Sequence, residues 1–192
     1  KWSDVHASAK ECLRPLMQRA FRGPVSDEEV DRYAKLVSLA TDRDESYYRG
    51  LQIAISAVLV SPRFLFRVET PPEDSKPDEG GSIQLTQHQL ATRLAYFLWS
   101  STPDERLLAD ADKGDLKGKA LQQQVQRMLA DPKSNALGQQ FAAQWFGLRN
   151  LESHEADTER FQSFTPSLRD AMATETEMLF MHTVRNNRPV AE

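Results

Sequence analysis

The sequence holds one cysteine, Cys12, in 192 residues, so no intrachain disulfide can brace it. Leu13 and Leu16 beside it make Cys12 read as a small buried apolar residue rather than a nucleophile. Long hydrophobic runs are missing too: the longest, AISAVLV at 54–60, falls far short of the roughly 20 residues that a spanning helix needs. Positive charge is not in excess. The net charge is −4 and the lysines and arginines are scattered among acids, which argues against a surface for nucleic acid or anionic lipid. There is no G-x-S-x-G elbow, no P-loop and no dinucleotide fingerprint. No signal peptide is present, and the opening KWSDVHASAK, without an initiating Met, reads as an excised fragment whose missing ends would carry any targeting signal.

What is present is a chain 40% apolar and 27% charged, the composition of a folded globular protein. Its apolar spacing predicts an all-α fold, either two small helical subdomains or one composite helical bundle, with no extensive sheet. The first helix spans 5 to about 21, with Cys12, Leu13, Leu16, Ala20 and Phe21 on its apolar side, and Gly23 with Pro24 ends it. Ser26 and Glu29 form a capping box for the second, which carries Val30, Tyr33, Leu36, Val37 and Ala40. A third runs from about 45 to 60 and is closed by Pro62, with a strand at 53–60 as the alternative that its β-branched residues leave open.

The stretch ETPPEDSKPDEGGS, residues 69–82, has the proline, glycine and acid content of a solvated linker. It divides the chain into an N-terminal helical subdomain at 1–69, a linker at 70–83 and a C-terminal helical subdomain at 84–192. In the second part Thr86 and Gln89 form another capping box, ahead of a buried stripe of Leu90, Leu94, Phe97 and Leu98 that Tyr96 and Trp99 widen. Thr102, Pro103 and Glu105 read as cap, first-turn proline and box acid of a short helix. A further helix is expected at about 119–130, followed by a restart at Asp131 and Pro132 toward a core of Phe141, Trp145 and Phe146. Thr165 and Pro166 begin a last helix with Leu168, Met172, Thr176, Leu179 and Phe180 on one side.

The strings FRGPVSDEEVDRY, AISAVLVSPRFLFRVE and LATRLAYFLWSSTPDERLL resemble a family of large bacterial proteins, abundant in planctomycetes, in which domains of unknown function accompany a c-type cytochrome domain. VQRMLADPKSNALGQQFAAQWFGLRNL and LRDAMATETEMLFMHTVRNNRPVAE continue the resemblance, which covers nearly the whole chain as two adjacent domains, the second incomplete. It implies export to the periplasm or beyond the cell, a haem c domain elsewhere in the polypeptide and further domains after this segment. With one cysteine and no C-x-x-C-H, this segment cannot itself attach haem c, so no cofactor is expected within it.

Local chemistry is sparse. His6, His88, His154 and His182 lie far apart, and no paired metal motif joins them. His182 lies on one helical side with Glu175 and four residues after Met178, a spacing open to an axial haem pair, but the methionines read as filling the core and His182 with Glu175 as facing water. Glu175 and Glu177 face different sides of a helix, and Ser100 and Ser101 have no base near in sequence. The interaction candidates are Arg63, Phe64, Phe66 and Arg67, an arm before the linker, and Arg93 with Trp99, although Trp99 reads first as the seam between helices. The expected function is a non-catalytic scaffold or docking region that binds other domains of its own polypeptide, including a c-type cytochrome domain. Two alternatives stand beside it: part of the substrate cleft of an extracytoplasmic enzyme, and a carbohydrate-binding module using exposed tryptophans.

Overall fold

The computed structural model describes residues 4–72, 75–157 and 159–189, and among them all regular structure is helical, with no strand. Two compact units divide the chain: Lys1–Thr92 with Thr102–Asp115, and Arg93–Ser101 with Leu116–Glu192. No helix among the described residues is long and apolar enough to cross a membrane.

The first unit is built on α1 (Val5–Phe21), α2 (Asp27–Thr41), α3 (Tyr47–Leu59) and the single turn α4 (Pro62–Leu65). Ala9, Leu13, Met17 and Phe21 recur every four residues along α1 and meet Val30, Ala34 and Val37 of α2 and Ala54 and Val58 of α3. That row displaces Cys12, which is exposed rather than buried: one position before Leu13, it lies about 100° away around the helix. Its sulfur accepts a hydrogen bond from the Tyr47 hydroxyl at 3.8 Å.

Caps set the helix starts as the sequence leads one to expect. Ser26 accepts from the Glu29 amide while Glu29 accepts from the Ser26 amide, and Ser46 caps α3 through the Arg49 amide. On the surface Asp31 of α2 gathers His6 and Lys10 from α1 and Lys35 from its own helix. The end of α1 departs from expectation: the left-handed residue is Arg22, at φ 59°, and not Gly23. Its amide donates to Arg19 and that of Gly23 to Gln18, closing the last turn of the helix.

In α5 (Gln87–Trp99) the capping box of Thr86 and Gln89 is formed, and Leu98 and Trp99 are buried as expected, but Ala91 and Ala95 complete the buried stripe in place of Leu90, Leu94 and Phe97. Two alanines turn the helix by one position, because small residues permit the closest approach and leave Phe97 exposed. The cap of α6 (Glu105–Lys113) is Asp104, whose carboxylate accepts from the Leu107 amide at 2.9 Å, and not Thr102. The helix therefore begins two residues later than the Thr102–Pro103 motif suggests.

The second unit continues with α7 (Gly118–Ala130), a 3₁₀ turn at Pro132–Ser134, a π-helical segment at Leu137–Ala142, and α8 (Ala143–Trp145). It ends with α9 (Leu148–Glu152) and α10 (Pro166–Arg185). Thr165 caps α10 through the Leu168 amide. The expected apolar side of that helix is covered only in part: Leu168, Met172 and Leu179 are exposed, Thr176 and Phe180 are half-buried, and Met181 is its buried residue.

Close helix contact in the first unit depends on Gly50. A Cβ there would lie 2.9 Å from the Cα of Val37, a backbone atom that cannot step aside. Gly50→Ala is expected to destabilise the chain by about 1 to 3 kcal/mol in urea unfolding despite the better helix propensity of alanine, and equal or greater stability would contradict this packing.

Candidate functional site

Two surfaces bring together the residues that carry recognition chemistry. In the first unit, α4 and the extended segment after it are held by Arg22, which is only 6% exposed. Its guanidinium donates to the carbonyls of Arg63 at 2.5 Å, Phe64 at 3.2 Å and Phe66 at 3.0 Å. Arg63 in turn pairs with the Glu29 carboxylate, donates to the Pro24 carbonyl and lies 4.8 Å over the Phe21 ring. Phe64 is half-buried against the core, so these two side chains are engaged within the unit. Phe66 and Arg67 point outward and line a cleft of about 290 Å³ together with Val68 and His88. His88 is fixed there by Asp112 at 2.9 Å.

Burial raises the Glu29 pKa, but the Arg63 hydrogen bond, the Ser26 amide and the charges of Arg63 and Arg32 outweigh it and hold the carboxyl below its ordinary value. A depressed folded pKa stabilises the fold above the ordinary value of 4.5, and the contribution is lost as pH falls through the lower folded value. The stability difference between the native chain and Arg63→Ala should therefore be full at pH 7 and shrink toward pH 3. A difference independent of pH would contradict the pairing.

The second surface belongs to the second unit. Trp99 is 3% exposed, and its indole nitrogen donates to the Met128 carbonyl at 2.9 Å. Arg127 and Lys133, from other elements, lie over its ring at 5.4 Å and 4.8 Å. Arg93 itself is exposed on α5. Trp99 thus occupies the seam, with no open face.

Trp145 is the reverse case. It was expected in the core and is 71% exposed. It stands at the end of a ladder of rings: Phe97 meets Phe141 at 5.7 Å between centroids, and Phe141 meets Trp145 at 4.9 Å and Phe180 at 6.2 Å. Phe180 meets Phe146 at 6.1 Å. Phe97 and Phe146 are exposed as well. The displacement follows from the π-helical segment: widening the turn between Leu137 and Ala142 changes the angular step, so the buried positions become Leu137, Gly138, Ala142 and Ala143. Gly138 admits α10 at this point, since a Cβ there would lie 3.0 Å from the Cγ of Met181. Sequence periodicity at 3.6 residues per turn cannot register such a segment, and nothing in the composition marks it.

Among the described residues no group of three or more histidines, cysteines and carboxylates is placed to hold a metal ion. Ser100, at φ 50°, follows the end of α5. The described residues are helical throughout their regular structure, and the second unit presents an exposed aromatic surface. Residues 85–192 match the family model described as a protein of unknown function, DUF1592, and the chain belongs to that family. Residues 8–69, the segment of α1 to α4, match a second model, also described as a protein of unknown function, DUF1595. Neither curated proteins nor solved structures provide a match to the chain.

The two tryptophans should separate in mutagenesis. Trp99→Ala is expected to cost about 3 to 5 kcal/mol, whereas Trp145→Ala should change stability by about 1 kcal/mol or less. Equal costs in urea unfolding would contradict the assignment of one ring to the core and the other to the surface.

Proposed function

We propose that the chain is a non-catalytic docking region of an exported multidomain protein, and that its occupant is a haem c domain of the same polypeptide. The observation that carries this reading is the ladder of rings in which exposed Phe97, Trp145 and Phe146 rest on half-buried Phe141 and Phe180. Aromatic side chains gathered on a surface are the anchors from which protein interfaces are built, and a contiguous apolar patch favours association over solvation. The exposed Met178 and Leu179 extend the apolar character of α10. Two family segments side by side in one chain support a multidomain context. The cytochrome partner, the planctomycete setting and the periplasmic or extracellular location rest on the resemblance of the sequence strings.

In this proposal residues 1–69 and 84–192 are the two subdomains and residues 70–83 join them. Phe66 and Arg67 add a contact beside the cleft of the first unit, where Arg63 and Phe64 are engaged; in the second unit Arg93 is exposed on α5 and Trp99 supports that unit from within. Sugar stacking is less well served. The Phe97–Phe141, Phe141–Trp145 and Phe146–Phe180 pairs meet at 68° to 83°, edge to face, and form no coplanar platform for a pyranose ring.

The test is a titration of this chain with the haem-bearing domain of its parent polypeptide, followed by the Soret band and by tryptophan fluorescence. Saturable binding is expected, weakened about tenfold or more in a Trp145→Ala, Phe146→Ala double variant. Binding that the double variant leaves unchanged would contradict the aromatic face. No binding would contradict the docking role.

A further inference from the structure

We infer that Ser38 is a nucleophilic hydroxyl, activated by His6 and Asp31, that accepts a small acyl group from an activated carboxylic ester. The three side chains meet on the surface of the first unit, His6 from the start of α1 and the other two from α2. Ser38 Oγ is 3.2 Å from His6 Nδ1, and His6 Nε2 is 2.8 Å from Asp31 Oδ1. Nucleophile, base and orienting carboxylate are joined by two direct contacts that span 32 and 25 residues of sequence, so no local motif announces them. Ser38 and His6 are half-buried, which admits a small acyl group and disfavours a bulky one.

The direction of the hydrogen bonds follows from Asp31. The His6 hydrogen bond and Lys35, with Lys10 adding to them, hold its carboxyl well below the ordinary carboxylate range, so at neutral pH it is ionised and only accepts. In the neutral ring Nε2 then carries the hydrogen, and Nδ1 turns its lone pair to the Ser38 hydroxyl. The two ring nitrogens exchange the places they hold in serine hydrolases, but the roles are the same. Helical hydroxyls elsewhere in the chain turn back on their own helix: Thr92, Thr174, Thr176 and Thr183 each donate to the carbonyl four residues earlier. Ser38 also lies inside a helix, yet its contact is the imidazole.

In the transfer the Ser38 oxygen bonds to the acyl carbon while its proton passes to Nδ1. The bond from that carbon to the leaving oxygen breaks, and the departing alkoxide takes the proton from Nδ1, leaving an acylated serine and a free alcohol. Lys35 precedes Ser38 by three residues and Lys10 follows His6 by four, so each ammonium stands one helical turn away. Each gives one contact to Asp31 and keeps further N–H groups for the negative charge that builds on the acyl oxygen. The amides flanking a mid-helix serine are spent on carbonyls of their own helix and cannot form an oxyanion hole. Deacylation needs the same help, so Ser38 is an acceptor for one transfer rather than a centre of turnover, in keeping with a non-catalytic chain. The site lies within the first unit and is independent of the docking role.

The test treats the full chain carrying Cys12→Ser with p-nitrophenyl acetate at pH 7, because the exposed thiol would otherwise compete for the acetyl group. Release of about one equivalent of nitrophenolate is expected, with the acetyl group located on Ser38 by peptide mass spectrometry. Exposed Ser153 and Ser167 should be labelled at least about tenfold more slowly, a comparison within one molecule that needs no variant to fold. His6→Gln and Asp31→Asn should each slow the labelling of Ser38 about tenfold or more, with unchanged circular dichroism. Acetyl groups on lysines with Ser38 bare, labelling of Ser38 no faster than that of Ser153 and Ser167, or an unaltered rate in both variants would each overturn the site.

Discussion

The hydrogen bonds of buried Arg22 run to the backbone carbonyls of Arg63, Phe64 and Phe66, and the form of the first unit depends on them. Charge-assisted bonds of this kind are stronger than those between neutral groups, and they must be, because a guanidinium withdrawn from water without acceptors would be heavily penalised. The same residue takes a left-handed backbone conformation that most side chains avoid, at a cost of order 1 to 2 kcal/mol. That strain turns the chain sharply out of α1 and aims the side chain at α4. Once α4 is clasped, Arg63 falls within reach of Glu29 and Phe21, and the last turn of α1, the start of α2 and the end of the α3–α4 corner become one assembly. Phe66 and Arg67 face outward because their backbone is fixed and their neighbours are engaged.

The second unit is organised by small residues instead. Ala91 lies in the first unit's share of α5, but Ala95, Gly138, Ala142 and Ala143 form the close contacts of the second, and large rings are left outside them. The π-helical segment lets Gly138 sit under Met181 while Phe141 stays half-buried among Phe97, Trp145 and Phe180. A surface of edge-to-face rings held by a backbone irregularity is costly to expose, and such irregularities concentrate where a protein does its work.

The fold class and most helix starts, that of α6 excepted, were legible because they rest on local chemistry. Ser26 with Glu29, Thr86 with Gln89, and Thr165 with Pro166 each act within one turn, and each appears where the sequence places it. Faces were harder to read. Cys12 and Leu13, or Leu94 and Ala95, differ by one position, and the choice between them is made by how near the next helix can come. Hydrophobicity favours the larger residue while geometry favours the smaller one. Trp145 escaped the reading for a different reason, since a π turn breaks the period on which any facial assignment rests. Arg22 was invisible as a structural residue because its partners are carbonyls some forty residues onward, and backbone carbonyls leave no sequence signal.

The central claim is that the ladder ending at Trp145 is covered in the intact protein by another domain of the same chain. Hydroxyl-radical footprinting of the full-length parent polypeptide against this chain alone measures that coverage residue by residue. The account predicts that oxidation of Phe97, Trp145 and Phe146 slows markedly in the intact protein, while exposed Tyr48 on α3 reacts equally in both. Equal oxidation of the three aromatic residues in the two samples would contradict it.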